Sequence, residues 1–293
     1  MEGLIVMGIG ILFESKEWSS YALEKNVNDL GVTARLVDMQ DDVAREELLS
    51  YDLIVNRVPA SAVFRGHQKA LDRMPGVIDL LKGSGIPMIN TYEAHYYETS
   101  KARSTLTLGA HGFPVPKVFG VFRPYEITEN VELEYPCIIK PDCGGRTNCT
   151  FIFKNYQELA GSMKDAPDIE YIAEEYLYPE FGYLTRVEVI DGECRLIHKK
   201  SVTECGLAAY WLGSTFTPYH DISNKIKKSA VQAMELLQIG SGSMDIIENK
   251  NGFFFIDINS ISNASEDGTE IFQFDLMKET AAYIVKKYRK MNA

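Results

Sequence analysis

Over the first hundred residues the apolar positions recur with two periods in alternation. Leu4–Ile11, Leu36-Val37, Asp52-Leu53-Ile54-Val55 and Ile86-Pro87-Met88-Ile89-Asn90 have the length and branched content of buried strands. Between them the spacing becomes helical. Trp18, Tyr21, Ala22 and Leu30 fall on one face of a helix that Gly31 should end, and Val77–Lys82 repeats the pattern. Strand and helix in turn predict a parallel sheet with helices on its faces.

The texture then changes. A helix over about Ser100–His111 is broken by Gly112-Phe113-Pro114-Val115-Pro116. Tyr135–Lys140 and Thr150–Lys154 flank a glycine-containing loop, as in an antiparallel hairpin. Asn155 and Glu158 offer a cap and a capping-box acid to a following helix. Ile169–Leu177 reads as a strand leading outward, so that about 113–176 forms a small α+β unit. Beyond it Thr185–Ile190 and Cys194–Lys200 form a hairpin around Asp191-Gly192. A helix with Ile226, Ala230, Met234 and Leu237 on one face follows. Two more strands, Ser243–Ile247 and Phe253–Asn259, are joined through Asn249-Lys250-Asn251-Gly252. A last helix, about Leu276–Tyr288, carries Met277, Ala281, Ile284 and Val285 on one side.

At 293 residues and 45% hydrophobic, the chain can fill two or three cores. A net charge of −11 with no long basic run argues against non-specific binding to nucleic acid or anionic membranes, and no apolar stretch approaches the length of a span. Met1-Glu2-Gly3-Leu4-Ile5-Val6 reads as the start of a strand rather than a signal peptide. Five cysteines without a Cys-x-x-Cys pair suit free thiols in a reducing cytoplasm, and the even spacing of Cys137, Cys143 and Cys149 fits no usual zinc pattern.

Chemistry concentrates at strand ends. Asp245 and, twelve residues on, Asp257-Ile258-Asn259 place three hard oxygen donors on neighbouring strands. Such a set suits Mg²⁺, which keeps positions open for phosphate oxygens. Lys140 ends a strand before Gly144-Gly145, where a lysine can meet a phosphate and backbone N–H groups can approach it closely; alone, this is also an ordinary hairpin. Glu174-Glu175-Tyr176-Leu177 could expose backbone groups to an adenine edge, with Glu180, or less readily Glu175, taking ribose hydroxyls. A solvated strand edge would look the same. Arg186 faces Arg195, His198, Lys199 and Lys200 across the hairpin. Arg186 and one of the two lysines could stabilise a transferring phosphoryl group, or be the hairpin's wet face.

Taken in order, these parts resemble the ATP-grasp superfamily, closest to its ribosomal-protein-S6-modifying and lysine-biosynthesis carboxylate–amine ligases. Asp52–Arg57 is similar to that group's first-domain strand ending in arginine, and Gly85–Asn90 to its next strand. Ser100-Lys101 with Gly112–Pro116 resembles the approach to its lid, Lys140-Pro141 its second nucleotide lysine, and Glu174–Leu177 its adenine hinge. Arg186 matches the arginine of its D-I-R motif, and Asp245, Asp257 and Asn259 its metal residues. The resemblance implies an ATP-grasp fold of mixed α/β and α+β class: a Rossmann-like parallel-sheet domain over 1–100, a lid over 101–176 and a mixed-sheet domain with the metal site over 177–293. It implies ATP and one or two Mg²⁺ as cofactors. Lys101, Lys140, Gly144, Gly145, Glu174, Glu175, Tyr176, Leu177, Glu180 and Lys199 would hold the nucleotide, and Arg186 and Lys200 would be catalytic. The implied reaction is amide formation through an acyl phosphate, with amino-acid-like carboxylate and amine substrates, in a cytoplasmic homo-oligomer, dimer or tetramer. A phosphotransferase and an ATP-binding protein without turnover are the alternatives.

The sequence also departs from the group. Asp257 stands where glutamate is usual, Leu184 where the D-I-R acid stands, and Lys199-Lys200 where paired arginines stand. Asn259-Ser260-Ile261-Ser262-Asn263 lacks the group's later Pro-Gly, and the glycine loop lacks a later glycine. Arg57, Arg65, Arg103, Lys199 and Tyr210 are available to bind substrate carboxylates.

Overall fold

The computed structural model describes residues 8–293; the start of the expected first strand, including Met1–Val6, lies outside the described residues. Strand β1 (Ile9–Phe13) is followed by helix α1 (Trp18–Asp29), β2 (Ala34–Asp38), the short α2 (Arg45–Leu48), β3 (Leu53–Asn56), a 3₁₀ segment Ala60–Arg65, α3 (Gln68–Ser84) and β4 (Met88–Ile89). The strands are parallel in the order β2-β1-β3-β4, as the alternation predicts. Gly31 and Gly85 follow the ends of α1 and α3 at φ 79° and 71°, a left-handed turn that a Cβ disfavours.

The predicted apolar face of α1 is not the one that packs. Trp18, Tyr21 and Leu30 are exposed, while Ser19, Ser20, Leu23 and Val27 are buried. The partner decides this: residues from the far end of the chain cover that side. Leu23 and Val27 pack against those residues, and Ser19 is buried with hydrogen bonds to Arg57 and Asn263, partners that apolarity counted along α1 alone does not show.

The helix expected at Ser100–His111 is preceded by a second one. Helix α4 (Tyr92–Glu98) is capped by Thr91, and α5 (Lys101–Ala110) by Ser100. The next sheet holds β5 (Val118–Phe122), β6 (Cys137–Pro141), β7 (Phe151–Phe153) and, after α6 (Tyr156–Met163), β8 (Tyr171–Glu175), antiparallel in the order β5-β8-β6-β7. Asn155 caps α6, accepting from the Glu158 N–H at 2.9 Å.

The third sheet comprises β9 (Tyr183–Ile190), β10 (Glu193–Ser201), β11 (Phe216–Pro218) and, after α7 (Asn224–Leu236), β12 (Ser241–Asn249) and β13 (Gly252–Asn259). Its order is β11-β10-β9-β12-β13. Where the resemblance implies a mixed sheet, every pairing is antiparallel, because each successive strand returns through a hairpin or folds back over α7. Helix α7 buries Ile226, Ala230 and Met234 under one face, leaving the other to face the second sheet.

Two helices close the chain, α8 (Glu266–Phe272) and α9 (Leu276–Met291). Helix α9 packs back on the first sheet: Leu276, Met277, Ala281, Ile284 and Val285 share one buried cluster with Ile9, Ile11, Leu23 and Val55. No described helix is long and apolar enough to cross a membrane.

Candidate active site

The floor of the cleft between the second and third sheets is set by strand alternation. On β12 Ser243, Asp245 and Ile247 point one way, while Met244 and Ile246 point into the core beneath α7. Asp245 pairs with Asp257 on β13, and Asn259 pairs with Ser243. The register slips between Asp245 and Ile246, leaving Ile256 as an extra residue on β13. That bulge turns Ile256 as well as Asp257 towards the cleft.

Four cations meet these oxygens. Lys101, in the first turn of α5, reaches the Gly144 carbonyl at 2.7 Å and lies 3.6 Å from Asp257 Oδ1. Lys140 Nζ, at the end of β6, donates to the Ile256 carbonyl at 2.8 Å and to Glu174 Oε2 at 2.8 Å. Arg186, opposite Asp245 in the register, spans Glu188 Oε1 at 2.7 Å, Asp245 Oδ1 at 3.3 Å and Ser243 Oγ at 2.5 Å. Lys200 donates to the other Asp245 oxygen.

Burial alone would push the Asp245 carboxyl up; Lys200 and Arg186 outweigh it and hold it below the ordinary value. Burial opposes the charge of Lys140, but Glu174 and Asp257 raise it above the usual lysine range. Arg186 is likewise raised, by Glu188 and Asp245 against burial. His198, beside Lys200 on the same face of β10, is pushed down to about 3 by burial and then by Arg186 and Lys200, so its ring is neutral.

The cleft holds about 850 Å³ with its open mouth. Lys101, Lys140, Gly145, Glu174, Glu175, Tyr176, Leu177, Asp245 and Asp257 line it, among apolar side chains that include Ile138, Leu184 and Leu207. The outgoing strand spends the Glu175 N–H on Lys117 and the Tyr176 N–H on Pro136, while the Leu177 N–H has no backbone partner among the described residues. An apolar slot beside that group suits a flat base.

Several expected residues take other positions. Glu174 is buried and anchors Lys140 and the Thr105 hydroxyl. A Cβ on Gly144 would lie 2.7 Å from the Phe64 ring, so this glycine admits the 3₁₀ segment of the first domain. Glu180 is exposed and held by Lys250, through its N–H at 3.1 Å and its ammonium at 3.0 Å; Pro179 takes the cleft wall. Lys199 is not brought to the cleft. Adjacent strand residues face opposite ways, and its ammonium sits between the Tyr183 and Tyr219 rings, 4.0 and 4.1 Å from their centres.

The sequence reading missed Ser243, Glu188 and Ser262. Glu188 accepts from Arg186 and from the Ser262 hydroxyl, which links the cleft floor to the loop after β13. Period-two spacing from Arg186 and Asp245 would have flagged the first two. Glu98 and Asn90 were also missed, and only the fold gathers their partners. Glu98 accepts from the N–H groups of Ala60 at 3.1 Å and Ser260 at 2.7 Å. Asn90 ties Ser241 to Ser260.

The donor set fits a hard cation. Asp257 Oδ1 is buried and accepts no hydrogen bond in the structure, a cost that a cation would remove. Two carboxylates and an amide do not make a closed cage, so phosphate oxygens of a bound nucleotide would complete the coordination.

Comparisons with known proteins bear on family and fold. A family profile described as a RimK-like ATP-grasp domain matches residues 98–284. The chain is 23% identical over 287 residues to a coenzyme gamma-F420-2:alpha-L-glutamate ligase of Methanococcus maripaludis, covering 92% of this chain and 95% of the relative. It is 30% identical over 154 residues to a D-alanine–D-alanine ligase of Pediococcus pentosaceus, covering 46% of this chain and 41% of that protein. The crystal structure of a RimK domain ATP-grasp protein from Sphaerobacter thermophilus superposes with a TM-score of 0.69 at 15% identity, over 94% of this chain and 98% of the other; it speaks to fold.

Proposed function

The chain belongs to the RimK-like ATP-grasp family, and from that premise we propose that it joins a carboxylate to an amine at the expense of ATP, through an acyl phosphate. Two of the relatives named above are ligases by name, one of glutamate and one of D-alanine, which supports the reading. The observation that carries the reading is the convergence of Arg186 and Lys200 on Asp245, opposite Asp257, beneath Lys101 and Lys140. Asp245 and Asp257 are the carboxylates that would hold a metal, and the cations they now hold, Arg186, Lys200 and Lys101, stand where a triphosphate would meet them.

Lys101 and Lys140 hold the nucleotide phosphates, and Tyr176 and Leu177 take its base. Asp245, Asp257 and Asn259 would hold one or two Mg²⁺, which would neutralise charge on the phosphate oxygens. The substrate carboxylate attacks the γ-phosphorus and ADP leaves. The amine then attacks the acyl carbon, phosphate departs, and the amine's proton passes to solvent. Arg186 and Lys200 stabilise the charge that gathers on the transferring phosphoryl group and on the tetrahedral oxyanion. The second sheet with its loop 141–149 covers the cleft, because an acyl phosphate must be kept from water. The substrates are amino acids or short peptide-like carboxylates. A cytoplasmic homo-oligomer belongs to the same reading, since free thiols suit a reducing compartment.

The test is ADP release across paired amino acids and dicarboxylates, with mass spectrometry of the product and hydroxylamine as a trap. Amide product and a hydroxamate formed without amine are expected. Phosphorylated product with no hydroxamate would replace the ligase by a phosphotransferase.

A further inference from the structure

Arg57 follows β3, at the carboxyl end of the first sheet. The order β2-β1-β3-β4 puts β1 and β3 side by side, with their onward connections leaving in opposite directions. The crevice beyond such a pair is where open parallel sheets bind ligands. Arg57 lines a small cavity there, shared with Asn56, Asn90, Ser260, Ser262 and Thr280.

Arg57 is buried, and among the described residues no carboxylate forms an ion pair with it. Nη1 donates to the Ser262 carbonyl at 3.2 Å; Nη2 donates to Ser19 Oγ at 3.0 Å and Asn263 Oδ1 at 2.8 Å. Nε is buried and donates to nothing in the structure. A buried guanidinium with only neutral acceptors is costly, and the cost falls when an anion arrives.

Nearby carboxylates are already engaged. Glu14 holds Arg65 and His67, and Glu17 holds Arg65 and Arg146. Three guanidiniums, of Arg57, Arg65 and Arg146, thus face two carboxylates. Other candidate carboxylate binders are placed elsewhere: Arg103 lies over the Tyr96 ring at 5.3 Å, Lys199 lies between two tyrosines, and Tyr210 is exposed.

We propose that this crevice is a carboxylate subsite, in which Arg57 holds a substrate carboxylate other than the one that is phosphorylated. One of the two substrates therefore carries a spare acidic group, as a dicarboxylate or an α-amino acid does. The proposal rests on the ligase reading for its meaning. The guanidinium edge formed by Nε and Nη2 accepts a carboxylate side-on, displacing one neutral acceptor, Ser19 or Asn263. The subsite is wired to the cleft floor: Ser262, whose carbonyl meets Arg57, gives its hydroxyl to Glu188, which holds Arg186.

The first arm of the test needs no turnover. Guanidinium ¹H–¹⁵N spectra of the full chain are recorded with acetate, with inorganic phosphate and with sodium chloride at equal ionic strength. The Arg57 Nε–H signal, assigned by its loss in Arg57→Lys, is expected to shift saturably with acetate. A signal that acetate does not move, or that chloride moves equally, overturns the proposal. A stronger response to phosphate overturns it too, assigning the crevice to a phosphorylated ligand. The second arm uses a substrate pair found by ADP release. Arg57→Gln should raise KM for one substrate by roughly ten- to hundredfold, with KM for ATP unchanged and partial recovery in Arg57→Lys. The amide analogue of that substrate should be insensitive to the change. Loss of kcat at unchanged KM would make Arg57 a structural tie. Failure of the ligase reading would show as ADP release without amide, leaving the acetate result standing.

Discussion

Two buried guanidiniums define two different regions. Arg186, on the cleft floor, lies between Glu188 and Asp245 and is raised above its ordinary value. Arg57, in the crevice beyond the first sheet, has neutral acceptors, and burial lowers it to about 10. The floor is neutralised within the protein and must exchange partners to bind anything. The crevice carries an unbalanced charge and gains by filling. Charge already paired at a site therefore marks groups that change partners during a reaction, and charge left unpaired marks a place for a ligand's own charge.

The sharpest way to break this contrast is to make the floor resemble the crevice. Asp245→Asn leaves Arg186 and Lys200 without their shared anion, and ADP formation should be abolished. Calorimetry should then find phosphate bound at the floor without magnesium; wild-type turnover would remove Asp245 from the site. Arg186→Ala should cost about 10²–10³ in the rate of acyl-phosphate formation, seen as hydroxamate, with little change in ATP affinity. An effect on KM for ATP alone would make Arg186 a ground-state binder. Lys140→Ala should weaken ATP binding by about 1.5–3 kcal/mol in a calorimetric titration, the range for a charge-assisted hydrogen bond. Asp257→Glu should be tolerated within a fewfold change in rate, since it restores the usual residue of the related ligases.

The smallest effect compares two histidines. His198 sits by the floor and is lowered to about 3 by burial, Arg186 and Lys200; His95, bonded to Asn56 near the crevice, is lowered to about 4 by burial alone. A base whose folded pKa lies below its unfolded value is protonated first in the unfolded chain. Each histidine therefore makes the fold less stable as pH falls from about 6.5 toward its own folded value. In Lys200→Met, NMR titration should find His198 raised and His95 unmoved. Equal movement of both would mean that the floor's cations do not set the difference.

Sequence pattern carried the succession of the three sheets and the strands that bear Lys140, Asp245 and Asp257, because strand alternation and turn chemistry are local; Asp245, expected at a strand end, lies in the middle of β12. The pattern put both Lys199 and Lys200 in the site, although period two alone turns neighbours to opposite faces. Nor did it find the packed side of α1, which is chosen by α9 from the other end of the chain. Glu180 was misjudged for a similar reason: its partner, Lys250, belongs to a turn seventy residues on. Arg57 was visible as a carboxylate binder among five, and only burial and partner counting set it apart.

The return of α9 to the first sheet has a consequence for synthesis. Leu23, Ile9 and Val55 are made early, yet their shared apolar cluster is closed only when Leu276–Val285 has left the ribosome. Elongation at about 5–20 residues per second leaves that face open for many seconds. The first sheet therefore waits, partly uncovered, for the last helix, and a nascent chain halted before Leu276 should be cut by protease within residues 8–60 at sites that the finished protein protects.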